Sequence, residues 1–392
     1  MPPIATIGDS TFLLVWNGVR DSPPAGPVRD FLLAHHARRV TTVVHPLEPE
    51  DGTAHTITSW ERGERIGERV LRLPSRPPFT YAVDPFVPLR PATVDCWIGF
   101  NNLAAARGLV HRRLRRAARV LYWAVDFVPE RFGASLLTRI YDAIDAYCSR
   151  TVDLRVELSQ AALEGRNHRH RLAGRAAPAA VAPIGAWTDR VPVTPDDGWR
   201  ARRVLYLGHL VPRQGVTRLV EALALLRKRD IEFTAEIAGH GPLEQELRSR
   251  VGALGLEDRV LFRGFLSGPD LEQFLASGSV GVAPYDTGVK SFTRYADPSK
   301  LRAYAAAGLP IVLTDVPPNA HELAAEAGAE VVPYDAEALA AAVERALSSN
   351  SGWSARRAAA LAYARRYDWN VILSSTFEAA GFASPPLTLL RD

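Results

Sequence analysis

A strand, a glycine-bounded loop and a helix follow one another in residues 203–228, which read RVLYLGHLVPRQGVTRLVEALALLRK. The first five residues are mostly aliphatic and aromatic, as expected of a buried strand. From Val216 onward, apolar residues recur every three or four positions, which predicts an amphipathic helix. A strand, a short loop and a helix in this order form the repeating unit of a doubly wound α/β sheet.

The same alternation extends in both directions from this segment. It begins at the predicted strand Phe12 to Trp16 and continues almost to the end of the chain of 392 residues, which is longer than one hydrophobic core usually grows. Residues 173–199 are rich in Ala, Pro and Gly and read as a linker. We therefore predict two Rossmann-like domains, 1–185 and 186–366, followed by a helix and tail, 367–392, that packs on either domain.

Composition limits the class of protein. The chain is 47% hydrophobic and 23% charged, as in soluble globular proteins, and no apolar run is long enough to span a bilayer. The first nine residues have neither the basic start nor the apolar core of a signal peptide, so we expect a cytoplasmic location. Cys96 and Cys148 lie far apart without nearby metal-type ligands, so neither a disulfide framework nor a zinc site is expected.

The net charge is +4, and almost all basic residues are Arg, with three Lys among them. The densest basic run, HRRLRRAAR at 111–119, is predicted to lie on a helix from Leu103 to Ala118. A solvated helix face is one interpretation, and peripheral contact with anionic lipid at the inner membrane face is the other. No aromatic residues alternate with the run, which argues against a nucleic-acid partner.

Three strand-to-helix turns of the second domain suit a phosphate group. They are Gly208 to Gly215, Gly239 to Pro242, and Asp297 to Lys300. Glycine lets a backbone approach an anion closely, and a helix N-terminus with a basic side chain attracts negative charge. The alternative is that the glycines serve only tight turns and that Asp297 or Ser299 merely caps a helix.

Six segments of the second domain carry a family resemblance when taken together. They are GHLVPRQG from 208, AGHGP from 238, VLFRGFL from 260, PYDTG from 284, PSKLRAYAAAGLPIV from 298, and TD from 314. In this order they resemble the retaining glycosyltransferases of family 4. The resemblance implies a GT-B fold, in which two doubly wound domains face each other across a cleft. It also implies sugar transfer from a nucleotide-diphosphate sugar to a hydroxyl group of a polysaccharide, glycolipid or secondary metabolite, with no metal or other cofactor.

The resemblance and the loop chemistry together indicate the site residues. Expected donor-binding residues are Gly18, Gly208, His209, Gln214, Gly239, His240, Gly241, Phe265, Leu266, Asp297, Ser299 and Tyr304. Arg213 and Lys300 are expected to neutralise the leaving diphosphate. In the first domain, Asp126 follows the predicted strand Val120 to Val125 and is expected to orient or deprotonate the acceptor hydroxyl.

Acceptor contacts are expected at two other strand ends of the first domain. Asn17 precedes Gly18 after the first strand, and Asn101 follows the strand Asp95 to Phe100. Their amides suit hydrogen bonds to sugar hydroxyls, although a helix-capping role is the simpler alternative for Asn101.

Four positions depart from the family pattern. The family usually has Arg where His209 stands, Lys where Gln214 stands, a carboxylate in place of Ala303 and Glu in place of Tyr295. A second hypothesis is therefore a non-catalytic nucleotide- or carbohydrate-binding protein on the same scaffold. A third, a nucleotide-sugar epimerase, is less favoured because the sequence lacks the pattern of acidic residues and histidine that such enzymes use.

Overall fold

Two units share the chain in the computed structural model, which describes residues 5–18, 23–47, 53–73, 84, 87–89, 93–289, 292–348 and 350–384. The N-terminal unit comprises Met1–Pro183 together with Trp369–Asp392, and the C-terminal unit comprises Ile184–Asp368. The chain therefore leaves the first unit once and returns to it.

The strands are β1 Ala5–Thr6, β2 Thr11–Asn17, β3 Arg39–His45, β4 Ala54–Glu61, β5 Glu64–Arg72, β6 Val94–Gly99, β7 Ala117–Ala124, β8 Leu154–Glu157, β9 Ala179–Val181, β10 Arg203–Leu207, β11 Thr234–Ala238, β12 Val260–Gly264, β13 Val280–Ala283, β14 Ile311–Thr314, β15 Glu330–Val332 and β16 Phe382–Ala383. The α-helices are α1 Ala25–Ala34, α2 Asn102–Arg113, α3 Leu136–Thr151, α4 Gln160–Arg169, α5 Val216–Lys228, α6 Glu244–Ala253, α7 Gly268–Ala276, α8 Ser299–Ala306, α9 Ala320–Glu326, α10 Ala336–Ser348, α11 Asn350–Arg366 and α12 Trp369–Ala379. Short 3₁₀ helices lie at Gly198–Ala201, Pro212–Gln214 and Phe292–Arg294.

The N-terminal unit is built on an eight-stranded sheet with the order β5-β4-β3-β2-β6-β7-β8-β9. Strands β3, β2, β6, β7, β8 and β9 run parallel, whereas β4 and β5 extend the β3 edge as antiparallel neighbours. The direction of winding changes between β2 and β6, and ligands of such sheets bind where the carboxyl ends of the strands meet this change. Asn17 and Asn101 lie at that point.

The C-terminal unit has a six-stranded, wholly parallel sheet with the order β12-β11-β10-β13-β14-β15. This is the doubly wound order in which the winding reverses between the first and fourth strands, here β10 and β13. The loops that follow β10 and β13 therefore flank the expected ligand position of this unit. The predicted α/β fold class, with doubly wound parallel sheets, is confirmed.

Helices cover both faces of the C-terminal sheet. Residues of α5, α6 and α10 join one apolar cluster, and residues of α7, α8, α9 and α11 join the other. Along β14, Val312 belongs to the first cluster while its neighbours Ile311 and Leu313 belong to the second. This is the alternation of side chains that a strand buried on both faces requires.

The basic run at 111–119 does not form one helix, so that prediction is wrong. Helix α2 ends at Arg113, Arg115 adopts a left-handed conformation with φ 58°, and β7 begins at Ala117. The run breaks because its last residues pair with β6, where Arg119 lies opposite Cys96. A continuous cationic helix face is therefore absent.

Several of these arginines have partners within the N-terminal unit. Arg112 pairs with Asp153 at 2.6 Å, and Arg113 donates to the Tyr147 hydroxyl at 2.9 Å. Arg119 donates to the carbonyl of Ala380. Among the described residues, no helix combines the length and the apolar character that crossing a membrane would require.

Helix α12 completes the N-terminal unit through an aromatic cluster. The Phe377 ring is fully buried and stacks on Phe31, with the centroids 5.6 Å apart and the planes 7° apart. Its centroid is also 5.7 Å from that of Phe12, in an edge-on arrangement. Strand β16 then pairs with β1, so both termini of the described chain close the same unit.

We predict that Phe377→Ala destabilises the N-terminal unit by about 3–5 kcal/mol, because it removes a buried ring and leaves a cavity. The control is Val371→Ala on the same helix, whose side chain is exposed, with an expected effect within about 0.5 kcal/mol. Urea denaturation followed by circular dichroism measures both changes. Equal effects of the two substitutions would contradict this account of α12.

Candidate functional site

The loops after β10, β11 and β12 are joined backbone to backbone at the carboxyl edge of the C-terminal sheet. Gly208 donates its N–H to the carbonyl of Ala238, and Gly239 donates to the carbonyl of Gly264, at 2.9 and 2.7 Å. A Cβ at Gly239 would lie only 2.0 Å from the carbonyl oxygen of Gly208, and Gly239 has a φ of +133°. No other residue type fits there without moving the backbone.

The loops after β10 and β11 make a further contact at His240 and Gly241. Leu210 donates its N–H to the carbonyl of His240 at 2.9 Å. A Cβ at Gly241 would lie 2.5 Å from the carbonyl oxygen of Leu210. The glycines at 239 and 241 are therefore required by the close packing of the loops, whether or not a ligand also approaches them.

Lys300 occupies a buried position beneath the first loop. Its Nζ donates to Gln214 Oε1 at 2.7 Å and lies 4.6 Å from the centroid of the Tyr206 ring and 5.1 Å from that of Tyr285. A Cβ at Gly208 would lie 2.7 Å from this nitrogen, so the glycine leaves the ammonium room. Burial lowers the pKa of Lys300 to about 7. The site thus contains a poorly solvated basic group that a nearby anion would stabilise in its charged form.

The other basic residues of the loop lie close to Lys300. The Arg213 guanidinium is stacked over the Phe292 ring, 5.1 Å from its centroid. Partial desolvation of its ring lowers the pKa of His209, and the neighbouring His240, Arg213 and Lys300 lower it further. His209 therefore lies close enough to the other three side chains for their charges to act on it. The structure thus brings together the expected donor residues of the first two loops with Arg213 and Lys300.

Three exposed rings line the ends of β10, β11 and β12. The centroid of His240 lies 5.6 Å from that of His209 and 5.7 Å from that of Phe265. Phe265 is 71% exposed, whereas Leu266 packs against the apolar core. An exposed aromatic ring beside an anion-attracting loop offers a surface on which a planar base or a sugar can lie.

The start of α8 differs from expectation. Pro298 is the N-cap residue of this helix and no side chain caps it, so the alternative that Asp297 or Ser299 merely caps the helix is wrong. Ser299 is exposed in the first turn. The helix amides are consequently free of a side-chain cap, which leaves them available to an anion.

Asp297 faces the interior of the C-terminal unit, so its expected donor contact requires correction. Its carboxylate accepts hydrogen bonds from the Ile184 N–H and from Asn319, both at 2.8 Å, and pairs with Arg302 at 3.4 Å. Burial raises its pKa to about 6, although Arg302 opposes that shift. Asp297 therefore anchors the start of the unit rather than presenting a carboxylate to a ligand.

Tyr304 is also a core residue and not a ligand contact. Its ring is fully buried, and its hydroxyl accepts a hydrogen bond from the Leu207 N–H at 2.8 Å. A Cβ at Gly281 would lie 2.5 Å from the ring, so this glycine makes room for it. Tyr304 fixes the end of β10, where the Gly208 loop begins. Beside it, Ala303 packs against the apolar core in place of the carboxylate expected from the family pattern.

The N-terminal unit has its own polar network at the winding change of its sheet. Asn101 donates to Asn17 Oδ1 at 2.9 Å, and Asn17 donates to Asp84 Oδ2 at 2.9 Å. The side-chain oxygen Oδ1 of Asn101 also caps α2 by accepting from the Ala104 N–H at 2.8 Å. Gly18 follows with a φ of 120° and donates its N–H to the carbonyl of His45. The three expected residues Asn17, Gly18 and Asn101 are therefore brought together.

Two histidines and an aspartate continue this network, and the sequence reasoning missed them. His45 Nδ1 lies 2.8 Å from His55 Nδ1, and both histidines are buried. Burial lowers the pKa of His45 to about 3, with His55 and Arg107 adding to the shift. Burial also raises the pKa of Asp84 to about 6. The sequence feature that could have revealed this network is the position of His45 at the end of β3, beside Asn17 at the end of the neighbouring strand β2.

Asp126 follows the end of β7 and is held by two contacts. Its carboxylate pairs with the Arg131 guanidinium, and both side chains are about one-third exposed. Its backbone carbonyl accepts from Arg166 at 2.8 Å, and Arg166 is itself buried and paired with Glu157 at 2.8 Å. The carboxylate is thus fixed in place and still reachable by solvent.

The C-terminal unit resembles known proteins in sequence. Residues 201–349 match the family described as Glycosyl transferases group 1. An α-D-kanosaminyltransferase of Streptomyces kanamyceticus is 37% identical over 81 residues, or 21% of each chain. A GDP-mannose:cellobiosyl-diphosphopolyprenol α-mannosyltransferase of Xanthomonas oryzae is 30% identical over 182 residues, or 44% of each chain. The matched region therefore spans less than half the length of these curated relatives.

Solved structures match over nearly the whole chain. Sucrose-phosphate synthase from Thermosynechococcus elongatus has a TM-score of 0.69 at 18% identity, covering 95% of this chain and 98% of that one. Anabaena HepE in complex with UDP has a TM-score of 0.64 at 16% identity, covering 95% and 99%. The chain has the GT-B fold, and within it residues 201–349 match the group 1 glycosyl transferases in sequence.

Proposed function

We propose that this chain is a retaining glycosyltransferase that moves a sugar from a nucleotide-diphosphate sugar to a hydroxyl group, without a metal ion at the diphosphate. The observation that carries the proposal is Lys300, a buried basic group beneath the Gly208 loop at the winding change of the C-terminal sheet. Arg213 and the uncapped first turn of α8 add positive potential to the same region. Such a site suits a leaving diphosphate.

Similar proteins support the class of donor. HepE has been solved with UDP and with UDP-glucose, and a trehalose-6-phosphate protein of E. coli with UDP-2-fluoro glucose. The bond between the anomeric carbon and the diphosphate oxygen breaks, and a bond to the acceptor oxygen forms on the same face of the sugar. The acceptor proton passes to the departing phosphate oxygen, with Asp126 holding the hydroxyl in position.

A non-catalytic nucleotide- or carbohydrate-binding protein is the second candidate, favoured by one observation. Ala303 stands where the family has a donor-binding carboxylate, and it packs into the core. Gln214 replaces the usual lysine, and its carbonyl oxygen accepts a hydrogen bond from Lys300. The two candidates differ in turnover, because a binding protein retains the nucleotide sugar without releasing nucleotide.

The proposed function first predicts donor binding. Titration calorimetry with a panel of UDP- and GDP-sugars is expected to identify one donor whose Kd is the same with magnesium and with EDTA. Gly239→Ala should weaken that binding at least about tenfold, because a Cβ there forces the Gly208 loop away from Lys300. Gly255→Ala is the control, since this glycine also has a positive φ but nothing lies within 4 Å of its Cβ position. If none of the nucleotide sugars binds, the proposal is wrong.

The second prediction concerns protonation of Lys300 on binding. Its pKa is about 7 in the free protein, and a diphosphate beside it should raise that value. Above pH 7 the free amine is mostly neutral, so binding takes up a proton and affinity falls by up to about tenfold per pH unit. Below pH 7 the amine is already charged and affinity should level off. Binding enthalpies measured at pH 8 in buffers of different ionisation enthalpy give the number of protons taken up on binding.

Lys300→Met should abolish this proton uptake and weaken donor binding. Lys228→Met, at the exposed end of α5, is the matched control and should change neither. A buffer-dependent enthalpy that persists in Lys300→Met would assign the proton to another group and remove Lys300 from the donor site.

The third prediction separates chemistry from binding. Asp126→Asn should lower kcat by about 10²-fold or more while the Kd for the nucleotide sugar stays unchanged, because the acceptor hydroxyl loses its anionic partner. Asp142→Asn is the matched control, since Asp142 pairs with Arg169 at 2.7 Å with similar exposure. Nucleotide release measured in the presence of a hydroxyl-acceptor library gives the rates. Unchanged turnover in Asp126→Asn would leave this carboxylate without a role in the reaction.

A further inference from the structure

Three metal-ligand atoms converge in the N-terminal unit, next to Asn17 at the ends of β2 and β3. His45 ends β3, and His55 lies on β4, its antiparallel neighbour. Asp84, from a later part of the chain, places its Oδ1 3.6 Å from His45 Nδ1 and 3.5 Å from His55 Nδ1. Among the described residues, these three form the group of His, Cys, Asp or Glu side chains whose ligand atoms are close enough together to hold a metal ion.

The distances between these three ligand atoms are close to the distances between ligand atoms that share one metal ion. Zinc binds imidazole nitrogen and carboxylate oxygen at about 2.0–2.2 Å in tetrahedral geometry, which places ligand atoms about 3.3 Å apart. The two oxygen-to-nitrogen distances agree with that value. The Nδ1 atoms are 2.8 Å apart, so a modest rotation of one imidazole ring brings the third side of the triangle to the same length.

The cluster contains buried polar atoms that lack partners. His45, His55 and Asp84 are 2%, 0% and 8% exposed. Among the described residues, Asp84 Oδ1 and the Nε2 atoms of both histidines have no hydrogen-bond partner. A buried carboxylate oxygen without a partner is costly, and a cation bound between Oδ1 and the imidazoles would remove that cost.

The surrounding contacts point Asp84 Oδ1 at the histidines. The other carboxylate oxygen, Oδ2, accepts from Asn17, which is held in turn by Asn101. Arg107 donates to the backbone carbonyl of Asp84 at 2.8 Å and fixes the main chain there. Metal-binding carboxylates are commonly oriented in this way by a second hydrogen bond. The charge of Arg107 also acts on His45 and Asp84, and it weakens the binding of a cation there.

We propose that His45, His55 and Asp84 bind one divalent transition-metal ion of the zinc type. Two imidazoles and one carboxylate suit zinc better than magnesium or calcium, which prefer oxygen ligands. A small cavity lined by Asn17, His45, Asp84 and Arg107 adjoins the cluster and gives a fourth ligand, water, a place to bind. The ion ties Asp84 to β3 and β4 and thereby sets the position of Asn17. This inference does not depend on the proposed transfer reaction.

The test uses the full chain, stripped with a chelator and titrated with Zn²⁺ against a competing colorimetric chelator. Wild type should bind one equivalent tightly, and Co²⁺ in its place should give the intense visible absorption of a four-coordinate ion. His55→Ala and Asp84→Asn should each weaken zinc binding by more than about 100-fold, since each removes a ligand, and Asn17→Ala by about 10-fold.

Two controls address zinc bound by surface histidines. His321→Gln removes an exposed histidine that lies 3.3 Å from Asp315, and His240→Gln breaks the exposed pair with His209. Both should leave the tight equivalent intact. The proposal is wrong if either control loses the tightly bound zinc, or if His55→Ala and Asp84→Asn keep it. It is also wrong if the wild-type protein shows no tight binding.

Folding of the variants is checked by circular dichroism before titration. Asp84→Asn keeps the size of the side chain and its hydrogen bond to Asn17, so it tests the ligand role even if His55→Ala fails to fold. A folded Asp84→Asn protein that binds Zn²⁺ as tightly as wild type would overturn the assignment.

Discussion

The close approach of two backbones at Gly208 and Gly239 is the constraint on which the C-terminal site depends. Because neither residue has a side chain, the loops after β10 and β11 pack within hydrogen-bonding distance of each other. That packing leaves room beneath Gly208 for the Lys300 ammonium, which would otherwise collide with a Cβ. The positive potential of the site therefore follows from a steric fact about the backbone as much as from the choice of charged residues.

The fold class was predictable because side-chain periodicity is a local property. Alternating strands and amphipathic helices indicated doubly wound sheets, and the glycine loops marked the strand ends. The basic run at 111–119 was misjudged for a related reason. Its helical periodicity continued past Arg113, but pairing of Arg119 with β6 is a long-range contact that overrides local preference.

The candidate site was predictable only in part. Loop residues such as Arg213 and Lys300 follow strand ends, and parallel strands gather those ends at one edge. The direction of a side chain within a turn is not encoded locally, and so Asp297 and Tyr304 were assigned to the ligand although both face the interior. The pairing of His45 with His55 and Asp84 was missed because these residues come from two antiparallel strands and a distant segment.

The return of the chain to the N-terminal unit has a consequence for synthesis. The C-terminal unit is continuous in sequence from Ile184 to Asp368, whereas the other unit needs Phe377 and β16 to close its aromatic cluster. On a ribosome, the aromatic cluster of the half that is translated first cannot close until Phe377 and β16 have emerged from the exit tunnel. The half that is translated second needs no residue beyond Asp368, so the last contacts of the first half form after the second half has been synthesised, although domains usually fold in N-to-C order.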